Sequence, residues 1–376
     1  YISLPVFGVL AVLMLLGHKV NKGYVDNGGK LALIGLLHPL ADAVKMIFKE
    51  DFVPPKADKF LFSIAPIITV IPAILAFAVI PFADTFYLEC LTDVVPRATD
   101  LAHPSMCDGS GTGLATAIPM QVASLDVGIL FIFAVAGTGV IGAAVGGYAS
   151  DNKYSLMGGL RAASQMVSYE VALGLTVVPC FMIYDSLRLE DMAMWQHNHG
   201  IWGVFIPPLF FAFILYTFAA IAETKRVPFD LPEGESELVG GYLTEYSGMK
   251  FGLFFTGEFI EVVALAALAT VLFFGGWDVP FLYRSGFDLP GTWEVAIPMT
   301  DWVFQDFIAL QHWAVLAIEL VFFLVKIVVF IWLQLMVRWT LPRFRYDQVM
   351  KLCWKGLLPL ALLNILFTGI LVLLWN

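Results

Sequence analysis

Long apolar stretches with almost no charged residues constrain this chain more than any other feature of its sequence. A transmembrane helix needs about 20 mostly apolar residues, and we interpret eight stretches as spans. They lie near residues 1–16, 60–83, 125–149, 164–184, 201–222, 252–275, 315–337 and 353–375. Only 14% of the residues are charged, too few to cover a globule in water. The sequence therefore predicts an all-α polytopic membrane protein, with residues 1–376 as a single membrane domain. Because the chain begins at Tyr1 inside an apolar run, we expect further residues to precede it.

The basic residues predict the orientation of the spans. Loops after odd-numbered spans hold 16 Lys and Arg residues, whereas loops after even-numbered spans hold 3. Since inner loops carry the excess of basic residues, we expect the odd loops to face the cytoplasm or matrix. The net charge of −10 argues against a nucleic-acid partner, which would require a basic surface.

The segment 31–50 is too charged to be a span, because Asp42, Lys45 and Lys49 interrupt it. Its apolar residues recur at helical spacing, which predicts an amphipathic helix in the inner membrane interface. Two roles remain open for this helix: a general surface anchor, or a roof over a cavity.

Ionisable residues inside the spans form the next signal, because charge at membrane depth is costly and usually functional. They are Asp126, Glu170, Glu223, Glu258, Glu261, Glu319 and Lys326. The spacing of three between Glu258 and Glu261 predicts that they share a helix face. Ion pairs that join helices are one interpretation. A series of carboxylates on several spans favours a proton relay, because neighbouring buried carboxylates share protons.

The predicted inner loop 223–250 combines acidic and apolar residues. Its acids are Glu223, Asp230, Glu233, Glu235, Glu237 and Glu245. A solvated acidic loop would not need apolar residues such as Phe229 and Leu231. We therefore expect a structured loop that serves as a funnel or a docking surface for a partner.

The same loop, AETKRVPFDLPEGESELVGGYLTEYSGMKFGLFF, closely resembles the signature loop of the eight-span membrane subunit of respiratory complex I. That family is known as the H subunit in bacteria and as NADH dehydrogenase subunit 1 in mitochondria. Further similar segments are ADAVKMIFKED at 41–51, SDNKYSLMGGLRAASQMVSYEV at 150–171 and LPRFRYDQVMKLCWK at 341–355. These segments lie in different predicted inner loops in the family's order, so the resemblance covers nearly the whole chain.

The resemblance implies a membrane subunit of a proton-pumping NADH:quinone oxidoreductase, which lines the quinone chamber and begins a carboxylate proton path. The residues implied for the quinone cavity are Asp42, Arg161, Arg226, Phe229 and Arg343, with Glu223 at its boundary. Those implied for the proton path are Glu170, Glu223, Glu233, Glu235, Glu237, Glu245 and Glu258. Tyr169 and Tyr246 lie beside these acids and could hold bridging waters.

The resemblance also implies how this chain works with partners. It would bind no cofactor, with quinone as substrate and with FMN and iron–sulfur clusters in partner subunits. It would be an enzyme only as a subunit. Its partners would be soluble quinone-site subunits, small membrane subunits, antiporter-like subunits and the lipid bilayer. We expect the bacterial inner membrane as its location, because the Lys- and Gly-bearing loops are long, with the mitochondrial inner membrane as the alternative.

One segment departs from the family pattern. The family ends its first span with a Glu-Arg pair and continues with Arg-x-Gly-Pro-Asn, whereas this chain has GHKVNKGYVDNGGKLAL at 17–33. Because this loop borders the quinone entrance in the family, the shape of the entrance stays open.

Two other functions compete with this interpretation. A homologous membrane subunit of a membrane-bound hydrogenase or formate hydrogenlyase would keep the acidic relay without needing quinone. The intact stretch PFDLPEGESELVGGYLTEYSGMKF favours the quinone enzyme. A stand-alone cation transporter would not need inner loops that resemble partner-binding segments.

Cysteine and histidine residues suggest no metal centre. No C-x-x-C spacing occurs, and His197 and His199 have no third ligand nearby in sequence, so we interpret both as solvated loop residues. Cys180 and Cys353 are expected to be buried small hydrophobes. Cys90 and Cys107 fall in the predicted outer loop near residues 84–124, on the oxidising side, where we hypothesise a disulfide bridge.

Overall fold

The computed structural model describes residues 44–87, 117–284, 286–288 and 307–375. Several predictions lie outside these residues and stay predictions: the first span, most of the amphipathic segment 31–50, Asp42, the divergent segment 17–33, and the Cys90–Cys107 bridge. Of the amphipathic segment, residues 44–48 are helical, with Ile47 and Phe48 exposed.

Helices form nearly all of the described structure. In chain order they are α1 (Lys59–Ala76), α2 (Gly128–Ala149), α3 (Lys153–Tyr184), α4 (Leu189–His199), α5 (Pro207–Glu223), α6 (Glu235–Leu238), α7 (Gly248–Phe274), α8 (His312–Thr340), α9 (Tyr346–Lys351) and α10 (Leu358–Trp375). A π-helical turn, Leu352–Leu357, joins α9 to α10. Short 3-10 turns lie at Gly203–Phe205 and Gly241–Leu243.

Six of the described helical segments are long and apolar enough to cross a membrane: α1, α2, α3, α7, α8 and the continuous α9–α10 helix. The apolar helix α5 has 17 residues and is shorter. The chain is therefore a multi-pass membrane protein. Each predicted span from the second to the eighth has a helix at its place in the sequence.

The helix bounds differ from the predicted spans where local capping decides them. Helix α3 begins at Lys153 rather than 164, because the Asn152 side chain accepts a hydrogen bond from the backbone N–H of Tyr154. Its 32 residues extend about 48 Å. Helix α5 begins at Pro207, where a proline at the first helical position needs no N–H partner.

The interpretation of His197 and His199 as loop residues is wrong, because both lie in the last turn of α4. Acidic residues in the first turn and histidines in the last turn complement the helix dipole. Gly200 ends the helix with a positive φ of 62°. His197 Nδ1 lies 2.8 Å from the Asp278 carboxylate, a partner far away in sequence.

The bundle has two ends. We call the side where α1 and α3 begin and where α5 and α8 end the basic end. The other side is called the opposite end.

Short strands at the opposite end were not predicted. Strand β1 (Phe86–Tyr87) pairs with β2 (Ala117–Ile118), and β3 (Leu282–Tyr283), β4 (Gly286–Asp288) and β5 (Phe307–Ala309) form an antiparallel sheet in that order.

The core of the bundle lies around α3 and α7. Helix α3 packs against α2, α5 and α10, and α7 packs against α1 and α8. Most of α7 is buried within the chain, so its acidic residues face other helices. Cys180 and Cys353 are buried and free, which confirms the prediction for these two residues.

Candidate functional site

The loop 224–247 at the basic end is folded, as its apolar residues predict. Phe229, Leu231 and Leu238 are buried, and so are the aromatic rings of Tyr242 and Tyr246. The Tyr246 ring stacks on Phe62 of α1 with 4.1 Å between centroids. The loop therefore packs against the helices as a folded segment.

Three carboxylates from three helices line one pocket between α1, α2, α3, α5 and α7. They belong to Glu170, Glu223 and Glu261. We call it the carboxylate pocket. Its other walls are mostly apolar, including Ile132 and Leu265. Glu223 Oε2 is buried without a hydrogen-bond partner among the described residues, which suits a carboxyl group that exchanges a proton or binds water.

Space for the Glu170 carboxylate depends on a glycine of the neighbouring helix. A Cβ atom added to Gly137 of α2 would lie 2.9 Å from Glu170 Oε1. Glycine therefore leaves room for this carboxylate at the pocket wall.

A second cluster surrounds Glu258, one turn before Glu261 on α7. Glu258 is buried, and its Oε1 accepts a 2.5 Å hydrogen bond from the Tyr242 hydroxyl. Arg226 Nη2 lies 3.1 Å from Glu258 Oε2, and Lys225 Nζ lies 3.8 Å from Oε1. Two cations and one buried carboxylate therefore meet where the loop contacts α7.

Arg226 also lines a pocket between α5, α7 and α8, which we call the arginine pocket. Its polar wall comprises Arg226, Gln334 and Arg338, and its apolar wall includes Phe259 and Ile331. The Arg226 guanidinium lies 4.6 Å from the Phe259 ring centroid, within range of a cation–π contact. Arg226 Nε is buried without a hydrogen-bond partner among the described residues. The pocket thus offers planar donors beside apolar surface.

Helix α7 contributes to both pockets. Glu261 and Leu265 line the carboxylate pocket, whereas Phe259 and Val262 line the arginine pocket. Glu258 lies on α7 between these two sets of residues and pairs with Lys225 and Arg226 of the loop.

Phe229 packs inside the chain instead of lining either pocket. Its ring lies 5.8 Å from the Tyr169 ring and 5.5 Å from the Phe344 ring, measured between centroids. It is 2% exposed. Phe229 therefore supports the loop that carries Arg226.

The other predicted site residues lie around the loop at the basic end. Arg161 pairs with Glu237 at 2.7 Å where both side chains are partly exposed. Glu245 accepts a 2.7 Å hydrogen bond from Asn152, which caps α3. Arg343 lies against Gly234, where a Cβ atom would meet its guanidinium at 2.7 Å. The backbone of Glu235 begins α6, and its side chain lies outside the described structure.

Two loop acids have pKa values well above their ordinary ones. Burial raises the pKa of Glu233 to about 7, with the Glu258 charge adding to the effect. Burial likewise raises the pKa of Asp230 to about 6, against the opposing influence of Arg343. Each has one buried carboxylate oxygen without a hydrogen-bond partner among the described residues. The protonated forms reduce the desolvation penalty of the folded loop.

These raised pKa values predict that stability falls as pH rises. The folded protein binds more protons than the unfolded chain between about pH 4 and pH 7, so the free energy of unfolding decreases through that window. We expect the paired variant Asp230→Asn and Glu233→Gln to flatten the decrease by several kcal/mol, since each pKa unit corresponds to about 1.4 kcal/mol. Melting temperatures in mild detergent from pH 5 to 8 test this. Parallel curves for variant and unaltered protein would contradict it.

Sequence reasoning missed several residues of the site. Glu261 was noticed as an acid in a span, but its carboxylate neighbours come from α3 and α5. Arg338 and Gln334 lie near the end of α8, far in sequence from Arg226. The only signal for Arg338 was its place at the basic end of a predicted span.

The charged residues at the opposite end form separate structural pairs. Arg284 pairs with Asp84, whose backbone N–H donates to Glu319 at 3.0 Å. The Lys326 ammonium donates to the carbonyls of Phe274, Gly276 and Asp278 at 2.6 to 3.0 Å. It thereby caps the end of α7. Arg284 and Asp84 thus form an ion pair, Lys326 and Glu319 bond to backbone groups, and the Asp126 side chain is largely exposed.

Within the described ranges, no three His, Cys, Asp or Glu side chains come together as a metal-binding group.

Comparison with known proteins gives a consistent set of relatives. The NADH dehydrogenase family profile matches residues 2–369. The chain is 43% identical over 378 residues to the NADH-quinone oxidoreductase H subunit, copy 1, of Geobacter metallireducens, covering 99% of this chain and 95% of that relative. It is 43% identical over 373 residues to copy 2 of the same protein in Geobacter sulfurreducens, covering 98% and 94%. The H subunit of Leptospira biflexa is 40% identical over 343 residues, covering 91% of this chain and 84% of that relative.

Proposed function

The chain belongs to the NADH dehydrogenase family, and from this premise we propose that it forms a quinone-binding chamber and the first proton-carrying site of a proton-pumping NADH:quinone oxidoreductase. The match confirms the resemblance found in the inner loops. The relatives compared are all H subunits of NADH-quinone oxidoreductases, which favours this function over a hydrogenase component or a lone transporter.

The observation that carries the proposal is the pair of pockets on opposite faces of α7. In the arginine pocket, Arg226 and Arg338 offer guanidinium donors to the two carbonyl oxygens of a quinone head group. Phe259, Val262 and Leu335 offer apolar surface to the ring and the start of its tail. Ligand pockets of this kind combine a mostly apolar wall with a few convergent polar groups.

Reduction of the quinone changes the charge beside Arg226. Two electrons, delivered from NADH through partner subunits, and two protons convert a quinone to a quinol. When the electrons arrive before the protons, the quinone oxygens become negatively charged and attract Arg226. That attraction competes with the 3.1 Å contact between Arg226 and Glu258. Weakening this ion pair leaves the Glu258 carboxylate with less compensation, since Lys225 and Tyr242 are then its remaining partners.

The carboxylate pocket would then respond to the charge on Glu258. Glu261 lies one turn away on α7, and Glu223 and Glu170 share its pocket. A negative charge on one of these groups makes ionisation of the next more costly, so a proton moves among them. Glu233 and Asp230 in the loop, each poised near neutral pH, could supply protons from the basic end.

The orientation and the partners follow from the same proposal. The basic end faces the cytoplasm of a bacterial cell, in agreement with the excess of Lys and Arg in those loops. The partly exposed Arg161–Glu237 pair belongs to the surface that contacts soluble quinone-site subunits. Those subunits would hold the FMN and the iron–sulfur clusters, and antiporter-like membrane subunits would continue the proton path.

Purification in mild detergent, followed by subunit identification and activity measurement, tests this function. We expect the 41.5 kDa chain to co-purify with flavin and iron–sulfur subunits and to support NADH:quinone reduction with proton uptake into proteoliposomes. A lone 41.5 kDa species that transports cations would refute the proposal. Co-purification with a hydrogenase without NADH oxidation would favour the hydrogenase alternative instead.

A further inference from the structure

A single amide holds both ends of the segment that joins the two pockets. Gln165 of α3 donates from Nε2 to the carbonyl oxygen of Ala222 at 2.7 Å and to that of Phe229 at 2.9 Å. A glutamine NH2 group has two hydrogens, so one is available for each carbonyl. The Gln165 side chain is fully buried.

The segment 222–229 carries residues of both pockets, and Thr224 and Arg226 both line the arginine pocket. Glu223, next to Ala222, lines the carboxylate pocket. Arg226 lines the arginine pocket, and its carbonyl accepts a 2.8 Å hydrogen bond from the backbone N–H of Phe229. Gln165 therefore joins the carbonyl of the residue before Glu223 to the carbonyl of Phe229, whose N–H is bonded to the backbone of Arg226.

Neighbouring residues of α3 also contact this part of the structure. Tyr169, one turn after Gln165, lies with its ring 5.8 Å from Phe229 and donates from its hydroxyl to the carbonyl of Val349 at 2.9 Å. The next residue is Glu170 of the carboxylate pocket. One face of α3 thus contacts the segment at both ends, close to the carboxylates.

Two details indicate that Gln165 does more than satisfy the backbone. Each carbonyl also accepts from a backbone N–H, Ala222 from Lys225 at 3.4 Å and Phe229 from Leu231 at 2.9 Å. In addition, Gln165 Oε1 is buried without a hydrogen-bond partner among the described residues. An apolar side chain of similar size would fill the site without leaving an unpaired acceptor. The two hydrogen bonds to the carbonyls thus come with one buried, unpaired acceptor on the same side chain.

We propose that Gln165 is a positioning residue that couples the two pockets, carrying a displacement of the Arg226–Phe229 end of the segment to Glu223. This inference rests on the proposed function. When the quinone draws Arg226, the carbonyl of Phe229 shifts, and the shared amide transmits the shift to the carbonyl of Ala222. Without the amide, the two ends move independently.

The test compares Gln165→Met with Gln196→Met in the assembled complex. Gln196 is a matched control because it is also fully buried and donates from Nε2 to the carbonyls of Val271 and Leu272, but at the opposite end. Quinone KM, kcat, and protons pumped per NADH oxidised are measured at matched electron flux. We expect Gln165→Met to raise the quinone KM by about tenfold, a factor that corresponds to the free energy of one hydrogen bond. We also expect it to lower the number of protons pumped per NADH oxidised. Gln196→Met should change neither.

Each outcome decides the matter. A Gln165→Met complex with a normal KM and proton ratio, like the Gln196→Met complex, overturns the inference. A raised KM with a normal proton ratio also overturns it, because quinone binding would then be affected without transmission. If Gln165→Met does not assemble, Gln165→Asn keeps the amide but is too short to reach both carbonyls, and the same two readouts apply. An unaltered complex that does not reduce quinone would instead refute the proposed function.

Discussion

Replacing Glu170 by glutamine is expected to lower coupled proton pumping by about a hundredfold while the complex still assembles. Glutamine keeps the size of the side chain but cannot exchange a proton, and a positioned acid or base contributes at least this factor to proton transfer. Glu170 shares its pocket with Glu223 and Glu261. Losing it therefore interrupts the transfer between them. The measurement is the proton gradient formed by proteoliposomes during NADH:quinone turnover.

Glu190→Gln is the matched control for this prediction. Glu190 is also partly buried, and its carboxylate accepts from Gln121 at 3.1 Å and lies 3.6 Å from Arg188, but it belongs to α4 at the opposite end. We expect near-normal pumping in that variant. A normal gradient and turnover in Glu170→Gln would remove Glu170 from the path.

A glycine substitution tests the same carboxylate without changing it. Gly137→Ala places a methyl group 2.9 Å from Glu170 Oε1 and should displace the carboxylate, so we expect pumping to fall in the same direction. Gly174→Ala adds a methyl group to the helix that carries Glu170 at a position with no atom within 4 Å. If both alanine variants pumped equally well, the exact position of the Glu170 carboxylate would be unimportant.

The positions of the helices could be predicted from the sequence because the bilayer imposes a simple rule. A span must be apolar for its full length, and α2, α7 and α8 match their predicted spans within a few residues, whereas α1 ends at Ala76, before the predicted 83. Residues 153–163 of α3 were missed, since they are less apolar and lie at the basic end. Their helix depends on the Asn152 cap, which a search for apolar length does not consider.

The arrangement of the acids could be predicted only in part. Spacing along one helix shows which residues lie near the same face. Residues three apart are rotated by about 300° around the helix axis, so their side chains still point about 60° apart. On α7, which is buried on most sides, that difference separates two environments. Glu258 pairs with Arg226 and Lys225, whereas Glu261 joins Glu170 and Glu223.

Contacts between distant segments were beyond sequence reasoning. Nothing in the stretch WQHNHG indicates that His197 bonds to Asp278, and nothing near Phe229 indicates that its ring is enclosed by Tyr169 and Phe344. Such pairs depend on how the helices pack. A single sequence carries no direct signal for that packing.

Replacing Arg226 by alanine is expected to raise the quinone KM by about tenfold to a hundredfold, more than it changes the number of protons pumped per turnover. The change removes the guanidinium donors of the arginine pocket, and a hydrogen bond to a charged group contributes about 1.5–3 kcal/mol. It also leaves Glu258 with Lys225 and Tyr242 as its remaining partners. The measurement is the apparent KM for a short-chain quinone.

Two further variants distinguish a specific role of Arg226 from a general loss of positive charge. Arg226→Lys keeps the charge but not the planar donors, so we expect its KM to lie between those of the unaltered protein and Arg226→Ala. Arg345→Ala removes a guanidinium whose side chain is 80% exposed and should leave the KM unchanged. An unchanged KM and kcat in Arg226→Ala would show that the quinone head group binds elsewhere. If Arg226→Lys were as weak a binder as Arg226→Ala, the planar donors, and not the charge, would set the affinity of the arginine pocket.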